Sequence, residues 1–151
     1  MRLSEALIVK ADLKTRLVDL RSRIGANAVT QEGKEPAEDV EQLLKEAYGL
    51  LQQLREMAVR VNATNERCKL PDGRTISEAL ARRMELNQRH SMVRTAIEGT
   101  KHLENRYSLS EIAWIPCLDV RQKQKQLNDF STKIRELNLM IQETNWTTDL
   151  V

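Results

Sequence analysis

Aromatic residues, glycine, proline and cysteine are all scarce in this sequence. Its 151 residues include five aromatic residues, five glycines, three prolines and two cysteines. With so few aromatic side chains, the core must be built from Leu, Ile, Val, Met and Ala. Few glycines and prolines, together with abundant charge, favour long helices over sheet. The two cysteines lack metal-ligand spacing, so we expect Cys68 and Cys117 to be free.

Charge of one sign and long apolar runs are also missing. The sequence has 24 basic and 22 acidic residues, a net charge of +2 that does not require nucleic acid or an anionic membrane as a partner. No stretch approaches the roughly 18 apolar residues of a membrane span. The start of the chain is amphipathic, unlike a signal peptide. We therefore expect a cytoplasmic protein with no membrane span and no obligate nucleic-acid partner.

The longest amphipathic pattern runs from Asp39 to Asn65. Leu44, Leu51 and Ala58 widen its apolar stripe, and the resulting width suits a bundle of several helices better than a two-stranded coiled coil. The stripe itself consists of Val40, Leu43, Ala47, Leu50, Leu54, Met57 and Val61.

Two helical patterns recur along the chain in the same order. Residues 3–24 are echoed by residues 76–97 at an offset of 73, with eight of the 22 positions identical. The pattern at 39–65 is echoed at 119–145, at an offset of 80. Two echoes in the same order indicate a duplicated helical hairpin.

The duplication predicts an all-α fold, a long antiparallel four-helix bundle. We expect one helical domain over 1–151, with internal repeats at about 3–65 and 76–145. The segments Ala28–Gln31 and Ile112–Ile115 look extended and are compatible with a small two-stranded β patch at one end.

Polar residues interrupt the apolar stripes at equivalent places in the two halves. Lys10 and Arg83 occupy matching positions, and His90 replaces an apolar residue of the first half. One hypothesis is a buried cluster, completed by Asp12 and Glu85, that binds an ion. The favoured alternative is a polar layer that fixes helix register, because an unpaired buried charge is costly.

The second helix of each hairpin ends in similar polar residues. Asn65 and Asn145 are expected to cap carbonyl groups, and Trp146 is expected to cover the base of the core or a neighbouring subunit. The predicted polar-core or assembly residues are therefore Lys10, Arg83, His90, Asn65, Asn145 and Trp146.

Familiar catalytic motifs are absent from the sequence. Neither His90 nor His102 follows a glutamate by three residues, as a di-iron bundle would require. There is no glycine-rich phosphate loop, Gly-x-Ser-x-Gly or His-Glu-x-x-His. We therefore predict no catalytic residue, no metal site and no cofactor.

The densest polar group lies in the two loops within the hairpins. Carboxylates together with Arg and Tyr suit a small polar ligand or a metal. Helix caps and a solvated rim are the favoured alternative for the same residues. The candidate ligand-binding residues are Glu32, Glu35, Arg106, Tyr107, Ser110 and Glu111.

Several short motifs resemble those of the small bacterial family known as septicolysins. That resemblance spans almost the whole chain and implies a small helical bacterial protein; the family name implies membrane lysis. The motifs are Gln31-Glu32-Gly33, Glu35-Pro36-Ala37-Glu38-Asp39, Asp72-Gly73-Arg74-Thr75, Arg106-Tyr107-Ser108, Ser110-Glu111-Ile112 and Asn145-Trp146-Thr147-Thr148.

Three functional hypotheses follow. The first is a non-enzymatic, self-associating helical scaffold or interaction protein, a homo-oligomer formed by side-by-side packing. The second is a small-ligand- or metal-binding protein or enzyme that uses the polar loops. The third, from the family name, is cytolysin-like membrane activity, which the narrow apolar stripes flanked by dense charge disfavour.

Overall fold

Four long α-helices dominate residues 1–101 and 112–151, the part of the chain that this computed structural model describes. The predicted all-α class is confirmed, and each helix lies within a few residues of its amphipathic pattern. The helices are α1 (Leu3–Ala26), α2 (Val40–Arg67), α3 (Ile76–Thr100) and α4 (Val120–Thr147).

Polar side chains cap the N-termini of α2, α3 and α4. Asp39 and Asp119 each accept a hydrogen bond from a backbone N–H in the first turn of the helix that follows. Thr75 and Glu78 form a reciprocal capping box at the start of α3. These side chains satisfy donors that have no partner within the helix, and they fix where each helix begins.

The chain divides into two compact units. The first contains residues 1–68 and 144–151, and therefore includes α1, α2 and the end of α4. The second contains residues 69–143, with α3 and most of α4.

In the first unit, α1 and α2 pack along an aliphatic seam. Arg23, near the end of α1, binds Glu38 just before α2, so the end of one helix lies beside the start of the next. The two helices therefore run antiparallel. The buried cluster consists of Leu13, Leu20, Leu43, Ala47 and Leu50, flanked by Leu17, Ile24 and Leu54.

The C-terminal residues pair with the N-terminus in the same unit. The Leu3 N–H donates to the Thr148 carbonyl at 2.9 Å, and the Leu150 N–H donates to the Met1 carbonyl at 2.9 Å. These bonds hold the last residues of the chain beside the start of α1.

Thr64 fastens the C-terminal residues to α2 as well. Its side chain is fully buried, and its Oγ1 donates to the Arg60 carbonyl at 2.9 Å. The same oxygen accepts the Val151 N–H at 3.1 Å, and Arg60 Nε donates to the Val151 carbonyl at 2.9 Å. One threonine hydroxyl thus links the helix to the end of the chain.

In the second unit, a tight turn precedes α3. The Leu70 N–H donates to the Arg74 carbonyl at 2.8 Å, and the Gly73 N–H donates to the Leu70 carbonyl at 3.0 Å. Gly73 has φ of +88°, a conformation that strains residues with a Cβ. Leu70 is buried beneath the turn.

The expected two-stranded β patch is wrong. Ala28–Gln31 and Ile112–Ile115 are irregular, and Val29, Ile112 and Ile115 are between 74% and 85% exposed. A strand pair needs a face to bury, and these side chains have none. Within the described residues, β pairing is limited to two isolated bridges, Arg2 with Asp149 and Lys69 with Thr75.

Two further findings concern membranes and thiols. In residues 1–101 and 112–151, no helix combines the length and apolar character needed to cross a bilayer. Cys68 and Cys117 are free, as predicted, and Cys117 is exposed.

Replacing Thr64 with Val tests how the C-terminal residues are held. Thr64→Val keeps the side-chain volume but removes the acceptor for the Val151 N–H, so we expect a loss of about 1–3 kcal/mol in the free energy of unfolding. Thr15→Val is the matched control, because Thr15 makes the same bond to a carbonyl four residues earlier but is exposed. Urea denaturation measures both variants. Equal losses would contradict a role for Thr64 in holding the chain end.

Candidate functional site

An apolar groove of about 560 Å³ runs between α1 and α2 on one face of the first unit. Two antiparallel helices shield each other on one side only, so residues beside their seam remain in contact with water. Val18 is 71% exposed and Leu51 is 49% exposed. The lining residues are Lys14, Leu17, Val18, Arg21, Ile24, Leu44, Ala47 and Leu51.

The α1 edge of this groove is basic. Lys14 and Arg21 lie two helical turns apart and flank the apolar lining. Within the described part of the chain, the ion pairs of α1 are made by Arg23 and not by these two cations. An apolar groove with uncompensated positive charge suits a partner that is apolar at its centre and acidic at its edge.

Two residues that were expected to pack within a bundle of several helices line this groove. Leu44 and Leu51 were identified as residues that widen the α2 stripe. Val18 was missed, because it falls outside the heptad positions of α1. The signal was present in the apolar residues that neighbour the stripe, but their exposure depends on how many helices pack there, which periodicity does not reveal.

Only two of the six predicted ligand-binding residues lie in the part of the chain that the structure describes. Glu32 and Glu35 are exposed in the connection between α1 and α2. In the described residues no ion pair involves either carboxylate. The other four candidates lie outside the described residues: Arg106, Tyr107, Ser110 and Glu111.

A different carboxylate anchors this connection. Arg23 Nε donates to Glu38 Oε2 at 3.0 Å, and its Nη2 donates to the other carboxylate oxygen. The Glu38 N–H donates to the Asn27 side chain at 3.0 Å, and Asp19 accepts from Arg23 as well. The Arg23 hydrogen bonds lower the pKa of Glu38 and raise the pKa of Arg23. The arrangement closes the loop between the helices.

Two of the predicted polar-core residues link α3 to α4. Arg83 Nη1 donates to Asn138 Oδ1 at 3.1 Å. His90 Nε2 lies 3.1 Å from Ser131 Oγ, in a hydrogen bond whose direction depends on the imidazole tautomer. These are pairwise contacts between helices of the second unit, and the role in helix register stays a prediction.

The remaining polar-core candidates are separate from these contacts. Lys10 is half-buried on α1. Of the two carboxylates considered for an ion-binding cluster, Glu85 instead accepts from Arg82 Nη1 at 2.6 Å. In the described part of the chain, no three His, Cys, Asp or Glu side chains come together as a metal site would require.

The residues near the ends of α2 and α4 have mixed environments. Asn65 and Asn145 are half-buried. The Oδ1 atom of Asn145 and the Oγ atom of Ser4 are buried without a hydrogen-bond partner in the described residues. Trp146 is 62% exposed and does not cover the core of its own chain, and its contact with a neighbouring subunit stays a prediction.

The helices and their caps define a small all-α protein whose described site is a surface groove. The chain belongs to DUF6847, a family of unknown function, whose model matches residues 10–150. No curated protein matches the sequence significantly.

A solved structure shares this fold. It is the crystal structure of a functionally unknown conserved protein from Corynebacterium diphtheriae, with a TM-score of 0.93 and 29% sequence identity. The alignment covers 100% of this chain and 99% of that chain.

The resemblance to septicolysins is wrong, since the family match is to DUF6847. Some of the motifs that suggested it have ordinary structural roles. Asp39 caps α2, Gly73 makes a tight turn, and Thr75 caps α3. Capping and turn residues recur in helical proteins of every kind, so they identify helix ends better than families.

Replacing Glu38 with Gln tests the ion pair that closes the first loop. Because Arg23 lowers the Glu38 pKa below its usual 4.5, the pair stabilises the fold above that pH and is lost as pH falls through the lowered value. We therefore expect Glu38→Gln to lower Tm at pH 7, and the difference from wild type to shrink at acid pH, as Glu38 of the wild type becomes protonated.

The control for this experiment is Glu35→Gln, which alters an exposed carboxylate in the same loop. It should leave Tm unchanged at both pH values, as measured by circular dichroism. A Glu38→Gln difference that persists undiminished at the acid pH would contradict the assignment to the ion pair.

Proposed function

We propose that this chain is a non-enzymatic, self-associating helical scaffold or interaction protein of the bacterial cytoplasm. The observation that carries the proposal is the apolar groove between α1 and α2. Water-exposed aliphatic side chains gathered in one concave surface are typical of an interaction site. The homologous fold comes from a bacterium, and free thiols suit a reducing compartment.

A second copy of the same chain is the occupant that we propose. A two-fold axis places α1 of one copy beside α2 of the other, so groove meets groove. Glu41 is exposed and precedes Leu44 by three residues, on the same side of α2. Its carboxylate can then pair across the interface with Lys14 or Arg21 of the other copy.

Tyr48 adds to the surface that a second copy would cover. It lies four residues after Leu44 and three before Leu51, beside the groove, and is 62% exposed. Tyrosine is enriched in protein interfaces because its ring is apolar and its hydroxyl remains a hydrogen-bonding group. A standard interface buries about 800 Å² on each partner, which requires a surface wider than the groove floor alone.

We also propose that the fold is a single-domain antiparallel bundle built from two duplicated hairpins. Two hydrogen bonds support this: Leu150 N–H to the Met1 carbonyl in the first unit, and Leu70 N–H to the Arg74 carbonyl in the second. The donors differ by 80 positions and the acceptors by 73, the same offsets that relate the sequence repeats.

A charge placed in the groove tests self-association. Val18→Glu should raise the dimer dissociation constant by about tenfold or more, because a carboxylate must be desolvated in an apolar contact. Met92→Glu on α3 is the control, since Met92 is 70% exposed and Val18 is 71% exposed. Sedimentation over a concentration series measures both.

Two outcomes would contradict the proposal. The first is a wild-type chain that sediments at its monomer mass of 17.4 kDa at high concentration. The second is equal weakening by the two substitutions, because self-association would then not depend on the groove.

A further inference from the structure

The second unit contains a smaller pocket with a different character. It encloses about 240 Å³ between the first half of α3 and the second half of α4. Leu86 and Leu137 form its floor, each only 3% exposed. The complete lining is Arg74, Arg82, Leu86, Lys133, Glu136, Leu137 and Met140.

Ion pairs hold the two arginines of this pocket in place. Arg74 Nε donates to Asp72 Oδ2 at 3.0 Å, and its Nη2 binds the same carboxylate. Arg82 Nη1 donates to Glu85 Oε2 at 2.6 Å, and Glu85 is shared with Arg89. A guanidinium has five N–H donors, so each arginine keeps donors for another acceptor.

Lys133 completes the basic wall. Within the described residues, no carboxylate lies within ion-pair distance of its ammonium group, and its side chain is exposed. The lining has three cations and one carboxylate, Glu136, and the two arginines pair with Asp72 and Glu85 outside it. Lining and partners together are neutral, so an anion would be held by the ammonium of Lys133, which has no ion-pair partner in the described residues, and by the unused N–H donors of the two arginines.

The other half of the chain lacks these three cations. If packing of a helical hairpin required these cations, the equivalent positions of the first half would carry them too. At the offsets of 73 and 80 residues, Arg74 corresponds to Met1, Arg82 to Val9, and Lys133 to Gln53. The first half has one cation at an equivalent lining position, Arg60 in place of Met140, so the wall of three cations is found only in the second half and hairpin packing does not account for it.

We propose that this pocket binds a small organic anion. An oxyanion, carboxylate or phosphate, would accept hydrogen bonds from Arg74, Arg82 and Lys133, and a short apolar group attached to it would cover Leu86 and Leu137. The volume lies below the roughly 300–1,000 Å³ of pockets for drug-sized ligands, so the ligand is small. This site is independent of the groove in the first unit.

Titration of the full chain with benzoate and with phenyl phosphate, followed by ¹H–¹⁵N NMR, tests the proposal. At least one of the two should give saturable shifts around the pocket, and the stronger binder identifies the oxyanion. Inorganic phosphate should bind more weakly than the better of the two, because it lacks an apolar group for the pocket floor.

The decisive variant is Lys133→Gln. It replaces Lys133 with glutamine, the residue found at the equivalent position of the first half, Gln53. It should weaken binding by about tenfold, because a charge-assisted hydrogen bond is lost. Lys125→Gln removes an exposed charge elsewhere on α4 and should leave binding unchanged. Both lysines are exposed, so neither substitution should change the Tm, which is measured alongside.

Three results would overturn the proposal: no saturation by either organic anion up to millimolar concentration, equal weakening by the two lysine substitutions, or equal binding of inorganic phosphate. The sedimentation behaviour of Lys133→Gln should match wild type. Failure of this proposal would therefore leave the proposed self-association standing, and the reverse also holds.

Discussion

Aliphatic packing along the seam between α1 and α2 is the contact on which the first unit depends. Leucines such as Leu13, Leu20 and Leu50 form its buried cluster, since the sequence offers hardly any aromatic side chains to fill space. Leucine side chains interdigitate well between two helices but do not cover the residues on either side of the seam. The residues beside the seam therefore remain open to water, and the groove follows directly from the composition of the core.

Local and periodic features of the fold could be predicted from the sequence. The helices follow their apolar stripes, and Asp39 and Thr75 mark their starts because capping depends on residues only a few positions away. Contacts between distant residues were not predicted. The bond from Val151 to Thr64 joins residues 87 positions apart, and no periodic signal records it.

The candidate site could be predicted less well, for two physical reasons. Whether Val18 is exposed depends on the number of helices that pack around it, and one sequence does not specify that number. The types of the residues also led to a wrong prediction, since Ile112 and Ile115 are β-branched and favour strands, yet residues 112–115 are irregular and both isoleucine side chains are exposed. The Arg23–Glu38 pair was missed because its residues are 15 positions apart, on either side of an irregular connection, and helical periodicity does not relate them.

Ion-paired arginines have different roles in the two units. In the first, Arg23 is committed to Asp19 and Glu38 and closes a loop. In the second, Arg74 and Arg82 are oriented by partners that leave donors available. The same side chain therefore stabilises structure in one place and defines a surface in the other.

The bond between Leu150 and the Met1 carbonyl holds the two chain ends side by side. A peptide of a few residues would be enough to join them, because little distance remains to be crossed. The joined chain could then be reopened at the turn that contains Gly73, which in the second unit closes an equivalent backbone bond. A chain with this rearranged helix order is compatible with the same contacts.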